Sequence, residues 1–421
     1  MTGRIHATYR IETAFDVRRA VEVMAGEQSS GTFIATPGET PELKERAGAR
    51  IERLELLETA DTPSLPGAGV PKGEGAPSWR RAEVELSWPF DNVGPSLPNL
   101  VATVAGNLFE LKPFSGLRIL DIDLPPAFAD AYPGPKFGIA GTRRLSGVEA
   151  LPLVGTIIKP SIGLSPDATA AMTEELCKGG IDFIKDDELQ SDGPTCPFEQ
   201  RVRAVMRVID RHAERTGKKV MFAFNLTGDL DQMRRRHDLV RDMGGTCVMA
   251  SLNSVGLVGF VELCRHTELP VHAHRNGWGY LTRSPELGWD YTAWAKLWRL
   301  AGADHMHVNG LANKFCEDDA SVIASARSCL TPMFEPPAKD CVVMPVFSSG
   351  QSAVQAEATC KALGRADLIH AAGGGIVAHP GGIAAGVASI RQAWEAALAG
   401  IPADTYARDH AELAQALDAY R

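Results

Sequence analysis

The chain has 421 residues, of which 44% are hydrophobic and 23% charged, with a formal net charge of −9. This length exceeds one small core and the balance is that of an ordinary globular protein, so disorder is excluded and two domains, or a barrel with an appendage, are expected. The acidic balance disfavours nucleic acid and anionic membrane as partners, while a local basic cleft still admits an anionic metabolite.

The start, Met1-Thr2-Gly3-Arg4, lacks the apolar core of a secretion signal, and no apolar run is long enough to cross a bilayer. A cytoplasmic protein is expected. In residues 15–24, Val17, Ala20, Val21 and Met24 recur at helical spacing. Residues 60–79 are rich in Gly and Pro and read as a long surface loop. Ala82, Val84, Leu86 and Trp88 then alternate with Glu83 and Glu85, the two-residue period of a half-buried strand. Residues 100–109 read as helix, and 117–124 alternate again. This first part is a small α+β unit, and the breaker run Tyr132-Pro133-Gly134-Pro135 marks its end. The expected domains are 1–138 and 139–421.

After Gly147 the texture changes. Short apolar runs at 153–158, 181–184, 220–224, 247–252, 269–273, 305–308, 342–347 and 368–372 are separated by helical stretches. Ser165-Pro166 opens one such helix as N-cap and first-turn proline, and Gly179-Gly180 closes it. Strands alternating with helices pair in parallel through crossovers, and eight units in roughly 250 residues fit an α/β (β/α)₈ TIM barrel. A doubly wound sheet is the alternative, because periodicity does not show closure. The 8 cysteines are scattered without a Cys-x-x-Cys pair and read as reduced, buried thiols.

The strongest local signal is Gly180-Ile181-Asp182-Phe183-Ile184-Lys185-Asp186-Asp187-Glu188. It sets a lysine and acidic residues at the end of the second barrel strand, where such barrels keep their active sites. Lys185 and Asp187 are two apart and share a side. A salt-bridged cluster would explain the run equally well; as a site, Asp187 and Glu188 supply oxygen ligands suited to Mg²⁺. His272 and His274 share one side of a strand, as do His305 and His307, and two such pairs at strand ends favour a site over satisfied core histidines. Lys159, just before Pro160, lies at a strand's functional rim; a snorkelling surface lysine is the bland alternative. Gly373-Gly374-Gly375 reads as a phosphate-binding turn opening a short helix, or simply as a flexible one. His212, His237, His266 and His410 lie in polar helical stretches and are read as having no site role.

Several of these segments occur together, in order, in one family. The 180–188 segment resembles the activation motif of the large subunit of ribulose-bisphosphate carboxylase (RuBisCO), in which the lysine is carbamylated by CO₂ and joins the acidic pair around Mg²⁺. Gly155-Thr156-Ile157-Ile158-Lys159-Pro160 is similar to the first barrel strand, whose lysine is the acid/base. His272-Ala273-His274-Arg275 resembles the fifth-strand motif, implying a metal-proximal catalytic role for His274 and phosphate binding by Arg275. Asp304-His305-Met306-His307 followed by Lys314 resembles the sixth strand and its mobile loop, with His307 at an anionic end of the substrate. Ser348-Ser349-Gly350 and Gly373-Gly374-Gly375 are similar to the anion-binding ends of strands seven and eight, implying roles for Ser349, Gly350, Gly373 and Gly374. In the small domain, which the resemblance makes ferredoxin-like, Glu27, Thr32 and Asn107 fall in the family's site contexts and would act across a homodimer or higher even oligomer.

The departures define the branch. The second lysine expected two residues beyond the base is Ser161, a histidine expected four residues after His274 is Trp278, the tryptophan after Gly-Thr is Phe33, and the phosphate loop reads Ser349-Gly350-Gln351. On this pattern the chain is identified as a member of the RuBisCO-like proteins (form IV), and carboxylation of ribulose bisphosphate is not expected. Lys314 implies a substrate carboxylate; a solvated loop lysine is the alternative. The resemblance implies a Mg²⁺-dependent decarboxylase of a phosphorylated β-keto sugar acid of the 3-oxo-isoapionate 4-phosphate type, acting through an enediolate. A transcarboxylase/hydrolase on the same kind of substrate, a 2,3-diketo-5-methylthiopentyl-1-phosphate enolase or related isomerase, and a non-catalytic binding protein remain as alternatives.

Overall fold

In the computed structural model, which describes residues 3–31, 36–72 and 76–421, the first sheet is built on alternation. Strands β1 (Arg4–Thr13), β2 (Arg50–Ala60), β3 (Trp79–Pro89) and β4 (Phe114–Asp123) pair antiparallel in the order β4-β1-β3-β2. Ile5, Ala7, Tyr9 and Ile11 of β1 are buried, as are Ala82, Val84, Leu86 and Trp88 of β3, so one face carries the core. Helix Val17–Glu27 buries Val17, Ala20, Val21 and Met24 and is capped by Asp16, which accepts the Arg19 N–H. Helix Leu97–Val104 joins β3 to β4. The resulting β-α-β-β-α-β order is the expected ferredoxin-like one. Neither β1 nor β2 was foreseen: β1 alternates as regularly as β3, whereas β2 is an edge strand whose Leu56 and Leu57 face solvent and lacks the alternation that burial imposes on β3.

The parallel strands are β5 (Leu153–Ile157), β6 (Phe183–Lys185), β7 (Met221–Asn225), β8 (Cys247–Ser251), β9 (Val271–His274) and, after an excursion containing β10 (Leu287–Trp289), β11 (His305–His307), β12 (Met344–Phe347) and β13 (Ile369–Ala371). They close in the order β11-β12-β13-β5-β6-β7-β8-β9, so the barrel expected from the alternating runs is closed and the doubly wound alternative is not realised. Leu153, Phe183, Met221, Met249, Val346 and Ile369 fill its interior. Helices Pro166–Lys178, Phe198–Thr216 and Ile383–Leu398 are among those that follow the strands, and Ser165 caps the first as expected.

The chain divides into one unit of Met1–Tyr132 with Gly277–Trp298 and another of Pro133–Asn276 with Arg299–Arg421. The excursion joins the first unit because β10 pairs in parallel with β4, and because Arg118 of β4 donates to the carbonyls of Thr282 at 3.0 Å and Ser284 at 2.9 Å. Trp278 belongs to this excursion and packs edge-on against Tyr291 and at a tilt against Trp294, ring centroids 5.6 and 4.7 Å away.

Among the described residues no helix is long and apolar enough to cross a membrane. Not all of the cysteines are buried: Cys316 is exposed and Cys360 partly so, which corrects the expectation of uniformly buried thiols. Gly386 shows how tightly the last long helix packs. A Cβ there would stand 2.4 Å from the Ile376 carbonyl oxygen and 2.8 Å from its Cα. Both are backbone atoms, so the clash outweighs the helix propensity that alanine would add. A Gly386→Ala variant is expected to lose about 1–2 kcal/mol of stability in urea unfolding; a variant as stable as the parent would refute this packing.

Candidate active site

The C-terminal ends of the barrel strands carry nearly all the side chains expected to act, as closed parallel barrels require. On β6 the alternation sorts the acidic residues. Asp186 is buried toward the helix Phe198–Thr216, 1% exposed, accepting from Arg201 at 3.2 Å and from the Asn225 N–H at 2.9 Å. It braces the strand end and leaves Asp187 to face the site. Asp187 accepts from the Lys159 ammonium at 2.6 Å, and Lys159 also reaches the Ser161 hydroxyl at 2.7 Å. Ser161, at the position of the missing second lysine, is thus a direct partner of the expected base.

Lys185 is 1% exposed. Its ammonium donates to the Asp186 carbonyl at 2.8 Å and to Glu188 at 3.4 Å. Burial pushes its pKa below the usual lysine range, against the pull of Glu188 and Asp187. Glu188 also lies 3.4 Å from His274 Nε2. Burial, which opposes its ionisation, is outweighed by His274 and Lys185, and its carboxyl stays below the ordinary range. Lys185, Asp187 and Glu188 are the residues that could hold a metal ion. Two carboxylates beside a buried amine held toward its neutral form fit a hard dication, provided the amine is converted to an oxygen donor.

The histidines form a column. His272 is fully buried, its Nε2 2.7 Å from His307 Nε2, and His307 Nδ1 lies 3.0 Å from the Ser348 hydroxyl. Burial depresses both pKa values, so both rings are neutral near pH 7. Both ring nitrogens of His307 are therefore engaged by the protein, and the ring carries no charge toward a substrate anion. His305 bonds to Thr142 at 2.7 Å. His274, with Asn276 at 3.1 Å from its Nδ1, is the partly accessible member of the group. Asp304, from the same motif, sits at the opposite end of β11 and accepts the N–H groups of Phe137, Gly138 and Val271.

The loops after β9, β11, β12 and β13 hold the remaining barrel candidates. Lys314 is exposed, its ammonium 5.3 Å from the Phe315 ring centroid, and its N–H bonds the Ser349 carbonyl at 3.3 Å. Ser349 donates to Asn309 at 2.8 Å. Asn309, Ala312 and Ser349 have φ values of 66°, 47° and 72°, a region that non-glycine residues seldom occupy. Arg275, 7% exposed, is ion-paired with Glu317 at 2.6 Å. Of the glycine run, Gly373 lies beside Lys159, Gly374 faces open space, and Gly375 packs so closely that a Cβ would stand 2.5 Å from the Gln351 carbonyl oxygen. The run is thus more than a flexible turn. Gly350 follows Ser349 with φ 83°.

Three expected residues belong to the N-terminal sheet unit. Glu27 ends helix Val17–Glu27 and Asn107 precedes the short helix Leu108–Glu110, both exposed, while Thr32 lies outside the described residues. Asn225, Asp186, Asn309 and Glu317 were not singled out from sequence. Only proximity to a motif could have pointed to them, since their partners come from other strands. His237 and His266, read as idle, cluster with Asp238, with potential ligand atoms within 4.8 Å. The Glu268 N–H bonds His237 Nε2 at 3.1 Å, so the ring's proton resides on Nδ1, directed at Asp238. This is a hydrogen-bonded clasp between helices rather than a ligand set.

Residues 80–128 match the N-terminal domain of the ribulose bisphosphate carboxylase large chain, and residues 138–420 match its catalytic domain. A 3-oxo-isoapionate-4-phosphate transcarboxylase/hydrolase of Xanthobacter autotrophicus is 60% identical over 421 residues, the whole of both chains. A 3-oxo-isoapionate-4-phosphate decarboxylase of Rhizobium rhizogenes is 45% identical over 98% of this chain and 97% of its own. The crystal structure of a rubisco-like protein from Burkholderia fungorum superposes with a TM-score of 0.92 at 48% identity, covering 99% of each chain. The order of motifs along the barrel rim, the closed fold and these full-length matches agree: the chain belongs to the ribulose bisphosphate carboxylase large-chain family, on its RuBisCO-like branch.

Proposed function

We propose that the chain is a transcarboxylase/hydrolase of 3-oxo-isoapionate 4-phosphate or a near variant of that β-keto sugar acid. The observation that carries this reading is Lys159, Lys185, Asp187, Glu188 and His274 meeting at one end of a barrel whose full-length 60% relative has that activity. Loss of the carboxyl group from a β-keto acid leaves its electron pair delocalised onto the keto oxygen, as an enediolate. Mg²⁺, held by Asp187, Glu188 and Lys185 as its CO₂ carbamate, supplies Lewis-acid stabilisation of negative charge when bound. Lys159, fixed by Asp187 and Ser161, and the neutral imidazole of His274 move protons at the reacting carbons. Lys314 pairs with the carboxyl group on its exposed loop. Arg275, Ser349, Gly350, Gly373 and Gly374 grip the phosphate, with His307 backing Ser348 as a neutral, doubly bonded ring. Glu27, Thr32 and Asn107 complete the site from a second copy, making a homodimer the minimum assembly.

The test is incubation of purified protein with Mg²⁺, bicarbonate and 3-oxo-isoapionate 4-phosphate, followed by NMR of the products. Cleaved fragments that retain the carboxyl carbon are expected. The 45% identity to a decarboxylase supports a second reading, in which free CO₂ and a one-carbon-shorter keto-sugar phosphate appear instead. Failure to turn over any phosphorylated keto acid would sink both.

A further inference from the structure

The loop that carries Lys314 runs into helix Asp319–Leu330, and just before that helix stands Glu317, its side chain 15% exposed. Glu317 Oε2 accepts from Arg275 at 2.6 Å and from the Asn309 amide at 2.7 Å, while Oε1 accepts from the Ser321 hydroxyl at 2.9 Å. Its own carbonyl accepts the Asn313 amide at 3.0 Å. Asn309 in turn takes the Ser349 hydroxyl through its Oδ1. One carboxylate therefore ties together groups from the ends of β9, β11 and β12. A carboxylate only accepts, and its four lone-pair sites suit several converging donors. A buried guanidinium needs such a partner to hold one geometry. Asn309 and Ser349, both at positive φ, hold a strained backbone that these bonds keep in place.

We infer that Glu317 is a positioning residue for the substrate's anionic group: it orients Arg275 directly and, through Asn309, the Ser349 hydroxyl. The inference rests on the reading that Arg275 and Ser349 bind phosphate. Glu317 acts through reach more than through charge, because a glutamine oxygen would still accept from Arg275 and Asn309 while the Ser321 hydroxyl rotates to accept from its amide.

The test uses the full-length protein, with inorganic phosphate as the calorimetric probe and steady-state kinetics on the phosphorylated substrate. Glu317→Ala is expected to weaken phosphate binding and raise KM by on the order of ten- to a hundredfold, the loss of one charged hydrogen-bond partner, with kcat changed little. Glu317→Gln should stay within about threefold of the parent, and Glu317→Asp, one methylene shorter, should fall between Gln and Ala. If the alanine variant fails to fold, the Asp and Gln pair carries the test. Unchanged KM in Ala or Asp overturns the inference, as does a fall in kcat alone. A Gln variant that binds phosphate far more tightly than the parent also overturns it, since the carboxylate would then compete with the anion. Arg275→Gln separates the two levels: if it leaves phosphate affinity intact, the phosphate reading fails and the inference falls with it. If it abolishes binding while Glu317→Ala does not, only the inference fails.

Discussion

A Lys185→Met variant is expected to lose at least about three orders of magnitude in turnover of the phosphorylated keto acid, and with it all dependence on bicarbonate. The size follows from what the residue would supply. Asp187 and Glu188 alone leave a hard cation short of an anionic oxygen donor, and the charge developing in the substrate loses its main stabiliser. Only the neutral amine can add to CO₂, releasing a proton as the carbamate forms. Burial lowers the Lys185 pKa and so raises the neutral fraction at a given pH. Because the amine deprotonates as pH rises toward that lowered value, activation at a fixed concentration of dissolved CO₂ should quicken with pH. Methionine fills similar volume without a buried charge, so thermal stability should hold or rise. Mg²⁺ binding measured with and without bicarbonate gives the readout free of substrate: the parent should respond and the variant should not. A parent protein that binds Mg²⁺ equally well in both conditions would refute the carbamate.

Replacing Lys314 by alanine is expected to cost about 10²–10³ in kcat/KM and to shift products from cleaved fragments toward free CO₂. The ammonium is exposed and its one described side-chain contact is the neighbouring Phe315 ring, while the loop is fastened by the Lys314 backbone N–H. The fold should therefore be indifferent to the substitution. A carboxyl group that must be held between its loss and its re-addition needs a cation nearby, and an enolase acting on a methylthio-pentose phosphate does not. Product partition by ¹³C NMR decides the matter. Unaltered rates and products would remove the carboxyl-handling role and favour the enolase alternative.

Much of the placement of the candidate site residues on barrel strand ends was legible in the amino-acid order. Parallel barrel strands are buried on both faces and so read as short apolar runs, and each run between 153 and 372 contains or overlaps an observed strand. The two-residue period gave Lys185 and Asp187 one side, while the burial of Asp186 against Arg201 and Asn225 was not foreseen. β1 was missed although its alternation is local; the other misses depend on distant partners. β2 is a solvent-facing edge strand, and β10 is a strand only because β4 lies beside it.

The sequence by itself determined the order of the barrel strands and which strand ends display the candidate site residues, because periodicity and turn residues are local properties. Only the tertiary structure decided that Arg275 faces Glu317, that both ring nitrogens of His307 are already bonded, and that Trp278 joins an aromatic cluster with Tyr291 and Trp294. Those outcomes are set by which charges and hydrogen-bond groups are left to find each other once water has been excluded, and their partners lie on other strands or in other loops.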